Sequence, residues 1–243
     1  MSIDVLCKLK SLWKTVFGDP DFFIDNFFKI AYSPERCRYI EENGQILSAL
    51  YWFDCAYEGG KLAYIYAVAT HPDYRGKGLA SNLIRDTHDY LKSEGYAGAV
   101  LKPANGLFPF YERLGYVTSG HIRRLSASAS KLPIQLKALS PREYGLLRKS
   151  YLPKNAVIQE GVTLEFLHTF ANFYAAEDAL ICVSPEETFI FEYLGNPDSA
   201  PGILATLGIE SANIPTFGET IPFTMYYPLN CTKIPGYLGI TLE

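Results

Sequence analysis

The run Tyr64-Ile65-Tyr66-Ala67-Val68-Ala69-Thr70-His71-Pro72-Asp73-Tyr74-Arg75-Gly76-Lys77-Gly78-Leu79-Ala80 holds the residues best suited to chemistry. Aromatic and aliphatic residues alternate up to Ala69, which predicts a half-buried strand, and Pro72 with Asp73 breaks it. Gly76 and Gly78 permit positive φ and carry no Cβ to hold a ligand off the backbone. From Leu79 the apolar positions Leu79, Leu83, Ile84, Tyr90 and Leu91 trace a helical stripe that Gly95 is placed to end. The start of such a helix is an anion site. Its first amides lack intrahelical partners, and the dipole favours negative charge, so the loop Arg75 to Ala80 suits a phosphate. Arg75 and Lys77 would add charge to it.

Two common phosphate ligands do not fit the spacing. A P-loop needs Gly-Lys-Ser/Thr after four intervening residues, whereas Gly76 and Gly78 lead into Leu79 and Ala80. A dinucleotide fingerprint needs a third small residue, glycine or alanine, where Ser81 stands. The pattern Arg75-x-x-Gly78-x-Ala80 directly after a strand instead resembles the acyl-coenzyme A signature, Arg/Gln-x-x-Gly-x-Gly/Ala, of the GCN5-related N-acetyltransferases (GNAT). Downstream, Phe110-Tyr111-Glu112-Arg113-Leu114-Gly115-Tyr116 is similar to the second signature of that family, with the strand-like Ala97-Gly98-Ala99-Val100-Leu101 between the two.

The resemblance implies an α/β (α+β) GNAT fold: a mixed, mostly antiparallel central sheet flanked by helices. It implies acetyl-coenzyme A as co-substrate and transfer of its acetyl group to a primary amine, here read as that of a small molecule. In the family the strand before the loop splays from its neighbour, so the backbone of Ala67, Val68 and Ala69 would pair with the pantetheine arm. The Val68 amide would then polarise the thioester carbonyl. Gly76, Lys77, Gly78 and Leu79 would hold the pyrophosphate together with Arg75 and Ala80. Tyr111, protonated at neutral pH with a reference pKa near 10, would donate to the departing thiolate. The family often binds the pantetheine arm with an asparagine seven residues before this tyrosine. Ala104 stands there with Asn105 beside it, so Asn105 takes that place.

The base stays open. Family members with a strand glutamate place it near Leu62, which cannot serve. Asp54, Glu58, Tyr64, Tyr66, His121 or a water chain could act, as could Glu243 by side chain and terminal carboxylate. Two other functions fit the same residues: a non-catalytic acyl-coenzyme A sensor, and an acetyltransferase for a protein or peptide amine.

Composition narrows the class. At 243 residues with 48% hydrophobic and 20% charged content, the chain is globular and large enough for two small domains. A net charge of −4 argues against a nucleic-acid partner. No apolar run approaches a membrane span, and Met1 to Asp4 lack the features of a signal peptide. Five scattered cysteines without a C-x-x-C pair predict free thiols in a reducing cytoplasm, and four dispersed histidines argue against a metal site.

The positioning elements follow in order. Val5 to Phe17 predicts a helix closed by Gly18, and Asp19-Pro20 opens a second one that ends at Ser33-Pro34. Arg38 to Glu41 and Ile46 to Tyr57 flank an Asn43-Gly44 hairpin turn, and Gly59-Gly60 leads into the strand of Tyr64. The family's usual first strand has only Met1 to Asp4 available. These elements set a first domain at 1–125, and the small polar run after Arg124 suggests a linker at 126–135. Residues 136–243 read as a smaller α+β domain, a degenerate copy of the first. Its predicted helices cover Pro141 to Tyr151, Leu164 to Tyr174 and Ala200 to Leu207. Its predicted strands are Leu180 to Val183, Thr188 to Tyr193, Phe223 to Tyr227 and Tyr237 to Leu242. Oligomeric state is not legible.

Overall fold

A computed structural model describes residues 3–186 and 189–242. The chain divides into two compact units, one of residues 1–117 and 225–233, the other of 118–224 and 234–243.

The first unit opens with helix α1 (Ile3–Phe17), which Gly18 ends at φ 74°. Asp19 does not cap the next helix as expected; its carboxylate accepts the Trp13 indole N–H at 2.7 Å, and Pro20 stands at the cap of α2 (Asp21–Asn26). A π-helical turn, Phe27–Ala31, continues it. Strands β1 (Cys37–Glu42), β2 (Gln45–Tyr57) and β3 (Gly60–Thr70) form the antiparallel meander, and Asn43-Gly44 turns with φ 50° and 77°. Helix α3 (Leu79–Ser93) and strand β4 (Gly98–Leu101) follow, β4 lying parallel to β3, and then α4 (Phe108–Glu112).

Both faces of this sheet are covered by the logic of alternation. Trp13 and Phe27 pack on Tyr51 and Tyr66 beneath α1 and α2. Leu50, Trp52, Ala63 and Ile65 meet Leu83, Ile84 and Leu91 of α3 on the other face. The outer side of β4 is closed by Met225 to Pro228, paired antiparallel with Leu101 to Gly98. Gly98 is required there, since a Cβ would run into the Tyr226 ring.

In the second unit, strand β5 (Val117–Ser128) pairs antiparallel along Ile122 to Ser128 with Phe217 to Ser211. Ser126 to Ser128 are therefore ladder residues and not the expected linker, and the division falls at Val117 instead of residue 125. Strand β6 (Lys137–Ala138) precedes helix α5 (Pro141–Tyr151), whose start is a capping box between Ser140 and Glu143. Helix α6 (Val162–Leu167) is shorter than predicted. Residues 172–174 belong to strand β7 (Asn172–Ala175), because Phe173 buries its ring against Tyr144 at 4.4 Å while its backbone joins β8 (Ala179–Val183). Strand β9 (Ile190–Gly195), helix α7 (Ala200–Leu207) and strand β10 (Ser211–Phe217) follow, and strand β11 (Ile221–Pro228) belongs to this unit up to Thr224 and to the first unit from Met225. Strand β10 was not foreseen: Pro215 interrupts its pattern, yet its other amides suffice for the pairing with β5. The expected strand at Tyr237 to Leu242 is absent. Those residues have no regular secondary structure and are largely buried, held by Val157 N–H to Tyr237 O (2.7 Å) and Gln159 Nε2 to Ile240 O (2.9 Å). Thr188 and Glu243 lie outside the described residues.

The core of this unit carries a full ion pair. Arg148 donates through Nε to Glu192 Oε2 (2.6 Å) and through Nη2 to Oε1 (2.8 Å), both side chains being almost fully buried. The Tyr144 hydroxyl adds a third donor at 3.0 Å. Removing one partner strands the other charge without water. Arg148→Met is expected to destabilise the protein by about 3–5 kcal/mol in urea denaturation, and a loss under about 1 kcal/mol would contradict that account.

Candidate active site

The site starts from an irregularity in β3. Ala49 pairs with Ala69 and Tyr51 with Tyr66, so β3 spends three steps where β2 spends two. The extra residue is a bulge, and Ala67 sits there at φ 49°, a conformation that non-glycine residues rarely adopt. On the opposite edge the parallel ladder with β4 covers only Leu62 to Tyr64 against Gly98 to Val100. From Ile65 onward β3 forms no ladder with β4, so the backbone of Ala67, Val68 and Ala69 presents an open edge able to accept an extended ligand. The buried Ser48 hydroxyl steadies the strand end, donating to Ala69 O at 2.8 Å and meeting Thr70 Oγ1 at 3.0 Å.

The loop after β3 is short and left-handed where it must be. Pro72–Tyr74 make one 3₁₀ turn, and Arg75 Nε donates to Thr70 O at 3.2 Å, closing the loop on its own strand. Lys77 places its ammonium 4.6 Å from the Tyr74 ring centre. Gly76 and Gly78 have φ 76° and 80°, and a Cβ on either would meet nothing within 4 Å. Their glycines thus answer to backbone conformation, and the space over them is free for a ligand. The first intrahelical bond of α3 is Asn82 N–H to Gly78 O (3.0 Å). The amides of Leu79, Ala80 and Ser81 precede it, at the positive end of a 15-residue helix.

Tyr111, on α4, is buried in the same apolar cluster as Leu83 and Ile84 of α3, and Val68 packs against that cluster. The structure therefore brings the bulged strand, the loop helix and Tyr111 together. Gly115 turns the chain at φ 93°, and Tyr116 N–H returns to Tyr111 O at 3.1 Å. Asn105 lies in an exposed turn between β4 and α4.

The base candidates fare unequally. Asp54 stands opposite Ala63, five residues and roughly 17 Å of strand before Val68. It is engaged by Arg36 and Lys61, each at 3.5 Å, and by the Tyr96 hydroxyl. Glu58 lies in the turn after β2 and faces Lys233 at 3.5 Å. Tyr64 and Tyr66 are buried among rings, Tyr66 one residue from the bulge. His121 belongs to the second unit. Leu62 is fully buried.

One buried polar group escaped the sequence reading. His88 of α3 shares a hydrogen bond with Tyr116 Oη through Nε2 at 2.8 Å, and its only sequence signal was a polar residue on the inner face of the helix.

In the second unit the connection from β9 to α7 has a different chemistry. Asp178 accepts from Asn196 Nδ2 (2.8 Å) and Ser199 Oγ (2.6 Å), and Asn196 Oδ1 caps Asp198 N–H (3.1 Å). These hydrogen bonds hold the Asp178 carboxyl below its ordinary range. The Asp178 carboxylate is thus held by two side chains of this corner, whereas the first unit's loop is closed by Arg75 on the Thr70 carbonyl.

Comparison with known proteins agrees with this geometry. Residues 3–118 match the family model described as "Acetyltransferase (GNAT) domain". A glucosamine 6-phosphate N-acetyltransferase of Trypanosoma brucei brucei is 36% identical over 58 residues, which are 24% of this chain and 40% of that protein. Among solved structures, a GCN5-related N-acetyltransferase from Anabaena variabilis shares 16% identity at a TM-score of 0.68, covering 94% of this chain and 71% of that one. A putative acetyltransferase from Pyrococcus horikoshii shares 15% at 0.66, covering 99% and 92%. At such identities the likeness is one of fold. By the family-model match, residues 3–118 are an acetyltransferase domain of the GCN5-related N-acetyltransferase (GNAT) type. Among the described residues no helix is long and apolar enough to cross a membrane, and no cluster of metal-ligating side chains occurs.

His88 makes the fold sensitive to acid. Burial pushes its imidazole down from 6.5 to about 4. The unfolded chain binds a proton below pH 6.5 that the folded one refuses until about pH 4, so stability falls as pH drops through that window. The loss is expected to reach about 3 kcal/mol. Urea midpoints at pH 7, 5.5 and 4.5 for the wild type and His88→Gln test it; parallel pH slopes would remove His88 from the account.

Proposed function

We propose that the chain transfers the acetyl group of acetyl-coenzyme A to the primary amine of a small molecule. The observation that carries this reading is the meeting of three features: the open, bulged β3 edge, the Gly76–Gly78 loop at the start of α3, and Tyr111 in one cluster with Val68.

The roles follow from what each group can do. The amides at Gly76 to Ala80, with Arg75 and Lys77, hold the pyrophosphate. The edge from Ala67 to Ala69 aligns the pantetheine arm, with Asn105 as a further contact. The amine nitrogen attacks the thioester carbon, and the Val68 N–H stabilises the oxygen that gains charge. As the carbon–sulfur bond breaks, Tyr111 gives its proton to the thiolate and regains one from solvent. The proton lost by the amine passes to water, directly or through the Tyr66 hydroxyl, which takes it up as it gives its own proton to water; Asp54 lies too far along β2, and Glu58 lies beyond the end of that strand.

The second unit is read as a degenerate copy of the first. Two helices, three antiparallel strands, a helix and a strand parallel to the third recur in the same order. Asp178 at its α7 start would repel a pyrophosphate, which accounts for a copy without coenzyme. Five cysteines scattered without a C-x-x-C pair support a cytoplasmic site of action.

The deciding assay follows free-thiol release from acetyl-coenzyme A over a panel of amines. A phosphorylated amino sugar stands first, after the partial Trypanosoma relative, followed by polyamines and peptides with free N-termini. Turnover only with peptides would favour a protein acceptor. A thermal shift with acetyl-coenzyme A but no thiol release from any amine would favour a sensor.

Two outcomes are expected. Acetyl-coenzyme A at about 100 times its dissociation constant should stabilise the wild type by roughly 2.7 kcal/mol. Gly78→Asp, which sets a carboxylate on a left-handed residue facing the phosphates, should lose that shift; an unshifted wild type would sink the coenzyme assignment. Tyr111→Phe should lower turnover by about 10²–10⁴ with coenzyme affinity retained, whereas unchanged turnover would make Tyr111 a packing residue.

A further inference from the structure

Four side chains from separate parts of the chain form a file that ends at Tyr111. Tyr227, near the end of β11, stacks on the His88 imidazole with centroids 3.9 Å apart and planes 16° from parallel. His88 Nε2 meets Tyr116 Oη at 2.8 Å. Tyr116 in turn meets Tyr111 by an edge-on ring contact at 5.5 Å, and its backbone N–H closes the turn onto the Tyr111 backbone carbonyl at 3.1 Å. His88 and Tyr116 are almost fully buried, and the Tyr227 ring also covers Gly115, where a Cβ would come within 3.0 Å of it.

Each link restricts the next. Stacking sets the plane of the imidazole, and the bond from its nitrogen anchors the Tyr116 oxygen. A phenol anchored at its oxygen cannot swing away about its Cα–Cβ bond, so its ring stays against Tyr111 and the edge contact limits the rotamer of Tyr111. Packing alone could have filled this space with leucine. A buried imidazole and phenol cost desolvation, which their mutual hydrogen bond offsets only in one geometry. Directional groups are placed where a direction matters.

We propose that Tyr227, His88 and Tyr116 are positioning residues that fix the side-chain direction of Tyr111. The inference rests on the reading of Tyr111 as the acid that faces the coenzyme sulfur. It gives residues 225–233 a part in the chemistry of a domain whose other residues lie more than a hundred positions earlier.

The test needs no acceptor. 3-Fluorotyrosine is placed at position 111 of the full chain, and its fluorine resonance is followed while coenzyme A is titrated, in the wild type, in Tyr116→Phe and in His88→Leu. Tyr116→Phe keeps the ring and volume, so it should fold even where His88→Leu does not. With the clamp intact the resonance is a single line that moves on addition of coenzyme A. Without the Tyr116 hydroxyl it should split or broaden, and its displacement by coenzyme A should shrink, while the thermal shift given by coenzyme A is retained. A merely structural hydroxyl would lower the melting temperature and leave the line single. A single, fully responsive line in Tyr116→Phe overturns the clamp. A wild-type line that ignores coenzyme A, in a protein whose melting temperature coenzyme A raises, overturns the reading of Tyr111 instead; splitting in Tyr116→Phe would still support the clamp on the ring.

Discussion

Backbone amides and carbonyls that leave one partner must find another, and β3 leaves β4 after only three residues of parallel ladder. The bulge at Ala67 turns the strand at the point where this happens. Past Tyr64 one edge of β3 is bonded to β2 and the other is open, an arrangement that can accept an extended ligand. The loop and helix beyond then fall into place, because a strand that diverges from its neighbour leaves room at its C-terminal end. Arg75 on Thr70, and Ser48 on Ala69, hold that end in one position. Most of the site is therefore main chain, and the side chains that matter most locally are the ones that secure main chain.

The same gap makes demands elsewhere in the sheet. β4 is four residues long and buried on both faces, so its far edge also needs a partner. Met225 to Pro228 provide it, with Tyr226 lying over Gly98 and donating to Ala97 O at 3.2 Å. Asn230 adds two bonds, to Lys92 O and Tyr96 O, both at 2.9 Å. The acetyltransferase domain is thus not complete in residues 3–118, even though the family description ends there.

The two strand–turn–helix corners show how one geometry serves different ends. In the first unit glycines at positive φ keep the helix start open. In the second, Asp178 satisfies the corner from within, and Gly195 is needed because a Cβ there would collide with Asp178 O. Charge burial follows the same division. Arg148 and Glu192 neutralise one another inside the second unit, whereas the charged groups of the first unit's loop remain exposed to solvent.

The local elements were legible in the residues. Asn43-Gly44, Gly18, the α3 stripe and the two signatures around Gly78 and Tyr111 each act over a few positions, through φ preferences and periodicity that no distant contact overrides. Elements of weak local pattern were misread. Leu164 to Tyr174 is apolar enough for helix, but pairing with β8 draws Asn172 to Ala175 into a strand. The serine–alanine run at 126–128 resembles a linker until β10 pairs with it. Tyr237 to Leu242 has strand periodicity and lacks a ladder. By itself the sequence determined the acetyltransferase-type domain and the strand, loop and helix around Gly78, since these depend on residue type at short spacing. Only the tertiary structure decided which strand closes each sheet and that Tyr227 lies on His88, because hydrogen-bond pairing between segments a hundred residues apart leaves no mark in either segment alone.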